Sequence, residues 1–132
     1  MGAVGKFIHS AGGATQGAAM GTSFDADKRV DFALGTGARF AGRLSAIYFD
    51  GTIDSSATKL TIKVYNDTAG TGNLIVPETE CTLTLDISGA GGGAVVELEL
   101  DLLLTGSTTL SMFGKTDTGT FLVTSAQLVW EE

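Results

Sequence analysis

Between Ala94 and Leu104 the apolar residues Val96, Leu98, Leu100 and Leu102 alternate with Glu97, Glu99 and Asp101. A period of two is that of a strand with one buried face. Helical spacing would instead carry Glu97 or Asp101 onto the apolar stripe. Leu60, Ile62 and Val64 repeat the pattern against Thr61, Lys63 and Tyr65, and Cys81, Leu83, Leu85 and Ile87 form a further inward row. The stretch from Ala41 to Phe49 differs, with Leu44, Ala46 and Tyr48 on one face and Ile47 and Phe49 on the other. That segment is expected to be a central strand or one covered on both sides.

Strand-like segments are predicted at about 28–34, 39–50, 58–66, 73–76, 80–87, 94–104, 107–113 and 120–130, with a further candidate near Lys6 to Ser10. Turn-forming residues separate them: Gly35-Thr36-Gly37, Asp50-Gly51, residues 66–73, Gly89 to Gly93, Gly106-Ser107 and Asp117-Thr118-Gly119. About eight short strands at this spacing predict an all-β fold, an antiparallel sandwich or barrel. Residues 1–27 break the pattern. Six glycines from Gly2 to Gly21 interrupt small residues there, leaving Phe7, Ile8, Met20 and Phe24 as isolated apolar anchors. Such a segment builds no core of its own, so residues 1–27 are read as an extended, glycine-rich N-terminal arm. It would be ordered by docking on its own domain or on a neighbouring subunit. Residues 28–132 are then the β domain.

A chain of 132 residues is enough for one domain with a real core. Eight basic against fifteen acidic side chains give a net charge of −7, and the basic residues are scattered. That excludes a nucleic-acid groove, which needs concentrated positive charge, and argues against anionic membrane surfaces. No run approaches the length of a spanning helix, and the N-terminus lacks the apolar stretch of a secretory signal. The single cysteine, Cys81, has no intrachain partner and reads as a small buried hydrophobe, compatible with a reducing cytoplasm.

Residues that do chemistry are sparse. His9 has no nucleophile near it in sequence, and most carboxylates fall on polar strand faces or in turns. Asp25, Asp27 and Asp31 form the one local acidic cluster with a spacing open to a hard cation. The glycine and closing glutamate of an EF-hand are absent, and Lys28 and Arg29 offset the charge, so no metal and no cofactor is expected. The stretch Gly89 to Gly93 lacks the lysine and helix of a phosphate loop and reads as a hairpin connection. Trp130 continues the alternation of Leu128 and reads as a core or interface residue.

The run Arg39 to Asp50, leading through Thr58 to Asp67 into Leu74-Ile75-Val76-Pro77, resembles small accessory β-sandwich proteins of tailed bacteriophage virions, such as capsid decoration (cement) and head auxiliary proteins. The likeness is one of texture and strand order over residues 28–130, and it carries no functional residue across. It implies a non-enzymatic structural protein with a jelly-roll-like sandwich, made in the host cytoplasm and placed on the capsid surface of the virion. It further implies a homo-oligomer, commonly a trimer, bound to the major capsid protein. Phe7, Ile8, Met20, Phe24 and Trp130 are the candidate partner or oligomer contacts. A tail or fibre module binding host-surface glycan is the first alternative; it calls for aromatic and carboxylate residues converging in a groove. A small β-fold hydrolase, the second, calls for a carboxylate pair across a cleft.

Overall fold

The computed structural model describes residues 8–35, 39–54, 57–85, 91–105 and 108–131. Among the described residues nine strands form one antiparallel sheet: β1 (Ile8–Thr15), β2 (Val30–Gly35), β3 (Arg39–Ile53), β4 (Lys59–Tyr65), β5 (Leu74–Thr82), β6 (Thr84–Leu85), β7 (Gly91–Thr105), β8 (Thr108–Thr116) and β9 (Phe121–Glu131). Their order across the sheet is β5-β4-β8-β2-β1-β9-β3-β7-β6. The fold is all-β and antiparallel, as the alternation predicts, and the sheet is nearly closed into a barrel.

Two corners produce the closure. At the first, β1 changes partner: Ile8 to Gly12 pair with β9, whereas Gly13 to Thr15 pair with β2. Gly13 permits the crossing, because a Cβ there would sit 2.5 Å from Val30 Cγ1 and 2.9 Å from Phe32 Cε1. At the second, β5 and β6 stand at opposite edges of the strand order yet are separated in the chain by Leu83 alone. Leu83 is buried, and its N–H donates to the Thr58 carbonyl at 2.8 Å. One residue thus joins the two edges. It also ends the inward row expected from Cys81 to Ile87: Cys81 is half-buried, Leu83 buried and Leu85 exposed, while Ile87 lies outside the described residues.

The core lies inside this curl. Leu60, Ile62 and Val64 of β4 point into it as the alternation predicts, beside Val30, Phe32, Leu110, Met112, Phe121 and Leu128. Of the two expectations for β3, a central strand or cover on both faces, the first holds, since β3 lies between β9 and β7, and the second does not. Leu44, Ala46, Ile47 and Phe49 are buried but Tyr48 is 47% exposed. The register against β9 shifts between Leu44 and Ala46, a β-bulge at Ser45 that reverses the alternation so that both Leu44 and Ile47 reach the core. The strand also does not turn at Asp50-Gly51; it runs on to Ile53. Gly51 is needed there for space, since a Cβ would collide with the Leu122 carbonyl.

Over its described part the N-terminal segment docks on its own domain, one of the two expected placements, and it does so as a strand that overlaps the candidate near Lys6 to Ser10. Residues Ile8–Thr15 are an internal strand of the sheet. Beyond it, Met20 forms an isolated bridge to Phe121, with N–H donation in both directions at 2.8 and 3.0 Å. The inward row of β1 is His9, Ala11 and Gly13, too small and polar to give an apolar signal. The described part of residues 1–27 is thus built into the same sheet as the rest. Gly91 to Gly93 likewise open β7 instead of forming a loop.

Candidate functional site

Of the five candidate contacts, two are used within the chain itself. Met20 is 1% exposed in the core, and Trp130 is 9% exposed, stacked on His9 with ring centroids 5.5 Å apart. Both side chains pack within the chain. Phe24 is half-buried, with Lys63 Nζ 4.2 Å and Lys115 Nζ 5.0 Å from its ring centre, so intrachain cations cover its face. Ile8 is 71% exposed on β1, opposite Glu131. Phe7 lies outside the described residues.

The acidic cluster is divided among structural tasks. The Asp25 carboxylate accepts from the Asp27 N–H at 2.9 Å and caps a short 3₁₀ turn, Ala26–Lys28. Asp31 accepts from Arg29 Nε at 3.0 Å and from the buried Ser111 hydroxyl at 2.7 Å. Among the described residues no group of His, Cys, Asp and Glu is arranged to hold a metal. Asp117, in the turn between β8 and β9, accepts from the backbone N–H of Thr58 and of Lys59, each at 3.0 Å, and from the Thr58 hydroxyl. These donors, the Thr58 hydroxyl foremost, hold its carboxyl well below the usual carboxylate range. Burial, with the nearby Glu80 charge, pushes the Cys81 thiol, which donates to the Leu60 carbonyl at 3.3 Å, up to about 11. A thiol so protonated is a poor nucleophile.

The two outward surfaces of the sheet differ in cover. On β4 and β8, Phe24 sits against Lys63 and Lys115, while the 66–73 loop folds over Phe113, which is 5% exposed. Asp67 shapes that loop by accepting from the Gly70 N–H at 2.9 Å, and Gly70 has φ +74°, the left-handed region. On β1, β9 and β3, by contrast, Ile8, Ser10, Ser125, Gln127, Tyr48 and Asp50 stay exposed. There a hollow of about 290 Å³ is lined by Tyr48, Phe49, Asp50, Ser125, Ala126 and Gln127.

Sequence reasoning missed this hollow. Tyr48 is read on one of two apolar faces and Asp50 in an Asp-Gly turn, whereas the strand changes phase at one bulge, runs on past Asp50, and meets a second bulge on β9. The second lies at Thr124, where the register between β3 and β9 shifts from Asp50↔Ser125 to Gly51↔Val123. The adjacent exposed pair Thr124-Ser125 was the available signal, since an uninterrupted strand would bury one of them.

Comparison with protein-family models, with curated proteins and with solved structures finds no match to this chain.

Proposed function

We propose that the chain is a non-enzymatic structural protein of a bacteriophage virion that decorates or cements the capsid. It binds the major capsid protein from outside, as a homo-oligomer for which the family resemblance favours a trimer. The observation that carries this reading is the asymmetry of the sheet: one outward surface is covered by the chain's own segments, and the other stays open with Ile8 and Tyr48 exposed on it. An uncovered sheet surface suits attachment to a shell, and stable attachment needs about 1,200–2,000 Å² buried in total, which repeated contacts of an oligomer supply.

The architecture that goes with this reading is a sandwich of jelly-roll type. The strand order supports it. With β5 and β6 taken as one strand bent at Leu83, eight strands remain, in the runs β1-β9-β3-β7 and β2-β8-β4-β5. Apart from β4 beside β5, neighbours within each run are distant in the chain, as in interlocked Greek keys.

The test is the copy number of this chain in gradient-purified virus particles from its source, measured by quantitative mass spectrometry. Abundance comparable with the major shell protein is expected. A few copies per particle would move the chain to a tail or fibre, and absence would remove the virion reading.

A further inference from the structure

We infer that the hollow beside Tyr48 is a subsite for one ring of a neutral carbohydrate. The lining carries the chemistry of a pyranose in complementary form. A sugar ring has one C–H-rich face and a rim of hydroxyls that both donate and accept. Here the exposed aromatic of Tyr48 stands next to a carboxylate, Asp50, an amide, Gln127, and a hydroxyl, Ser125. The ring takes the apolar face. The carboxylate accepts from adjacent hydroxyls in charge-assisted bonds, and the amide and hydroxyl donate or accept as the epimer demands. At about 290 Å³ the hollow lies at the small end of ligand sites, the scale of a single ring.

The Gln127 amide and the Asp50 backbone are held before any ligand arrives. Gln127 Nε2 donates to the Ser10 hydroxyl at 2.9 Å, and Thr124 Oγ1 donates to the Asp50 carbonyl at 3.3 Å. Asp50 pairs with Gly93 of β7, where a Cβ would lie 2.7 Å from Asp50 Oδ1. The missing side chain leaves the carboxylate its place. The Thr124 bulge turns the neighbouring Ser125 outward at the end of the hollow, a use of bulges found beside binding sites. Restricting groups in this way lowers the ordering cost of binding.

Charge and backbone narrow the ligand. The lining contains Asp50 and no cation, and the chain carries −7 overall. Arg43 lies about five residues away on the same strand, roughly 17 Å, and is paired with Asp101 at 3.2 Å. Acidic sugars are therefore disfavoured. Strand addition by a peptide is disfavoured too, since β3 and β9 each have a neighbour on both sides and offer no free edge. The hollow lies on the same open face that the capsid reading uses, and Tyr48 belongs to both. The two are tested separately: absence from particles would leave the sugar subsite intact, and loss of sugar binding would leave the capsid reading intact.

The test is saturation-transfer NMR on the whole chain with methyl glycosides of glucose, galactose, mannose and N-acetylglucosamine, and with N-acetylneuraminic acid as the acidic probe. At least one neutral glycoside is expected to bind in the millimolar range. Tyr48→Phe should retain it, Tyr48→Ala and Asp50→Asn should each weaken it at least tenfold, and the acidic sugar should give no transfer. Tyr48 is exposed, so unchanged thermal melting will certify the fold of that variant, and Gln127→Ala tests the opposite wall by the same criterion. Transfer to none of the neutral glycosides, preference for the acidic sugar, or binding unaltered in Tyr48→Ala and Asp50→Asn would overturn the assignment.

Discussion

Met20 and Gly114 make a sharply testable pair. Met20 reaches the core from the segment between β1 and β2 and is 1% exposed there. Gly114 of β8 lies where the thioether arrives: a Cβ at 114 would be 2.5 Å from Met20 Sδ, 3.3 Å from its Cε and 3.4 Å from Leu60 Cδ1. Truncation by Met20→Ala removes buried atoms and leaves a void, which costs about 2–5 kcal/mol for such residues. A value near 3 kcal/mol is expected here. With an unfolding entropy of about 2.1 cal/mol/K per residue, that lowers the melting temperature by about 10 °C. Gly114→Ala alone overpacks the same spot and should cost about 1–2 kcal/mol. In the double variant the new methyl enters space the thioether has vacated, so the two losses should fall short of additive by about 1–2 kcal/mol. Urea unfolding of the four proteins at constant m-value reads the cycle directly. Additivity within about 0.5 kcal/mol would refute the contact, as would a Met20→Ala cost below about 1 kcal/mol.

Other perturbations follow from local geometry. Because the folded pKa of Asp117 is depressed, its contribution to stability is present above the unfolded carboxylate value of about 3.9 and is lost as pH falls below it. Asp117→Asn should therefore lower the melting temperature at pH 7, and the difference from the parent protein should shrink toward pH 2. A constant difference across that range would contradict the role of its charge. Cys81, with its thiol raised to about 11, should react with Ellman's reagent at pH 8 at least tenfold more slowly in the folded chain than in urea. Equal rates would show the thiol to be accessible and ionised. Gly70→Ala should cost about 1–3 kcal/mol, from a left-handed φ of +74° and a Cβ 2.8 Å from Phe113 Cε2. An unchanged melting temperature would mean that the loop does not rest on Phe113.

Where one strand face is simply apolar, the sequence could be read directly. Leu60, Ile62 and Val64 were placed inward by period alone, and all three are buried. Period failed where a bulge inserts a half-step: nothing in Leu44-Ser45-Ala46-Ile47 distinguishes a strand covered on both faces from one that changes phase at Ser45. It failed again at β1, where the inward positions hold His9, Ala11 and Gly13. Small residues are required there because the strand crosses a corner between neighbours. Their selection is steric, and hydropathy does not register it. The Tyr48 hollow inherits both difficulties, being assembled by phase changes on β3 and β9 from residues nearly 80 positions apart.

The position of β1 also constrains how the chain reaches this state. Its first half pairs with β9, so that Ser10 and Gln127, 117 residues apart, share a hydrogen bond. Its second half pairs with β2, which itself pairs with β8. Of the joins that complete the sheet, those of β1 with β9, β3 with β9, β2 with β8 and β4 with β8 all connect distant stretches of chain. Such loops must close before their contacts repay the lost entropy, which places folding among the slow, high-contact-order sheets. Until residues 121–131 take their place, β1 and β3 each lack one neighbour. Insertion of β9 between β1 and β3 is therefore the step on which closure of the curl waits, and the interval before it is when open strand edges are exposed to other chains.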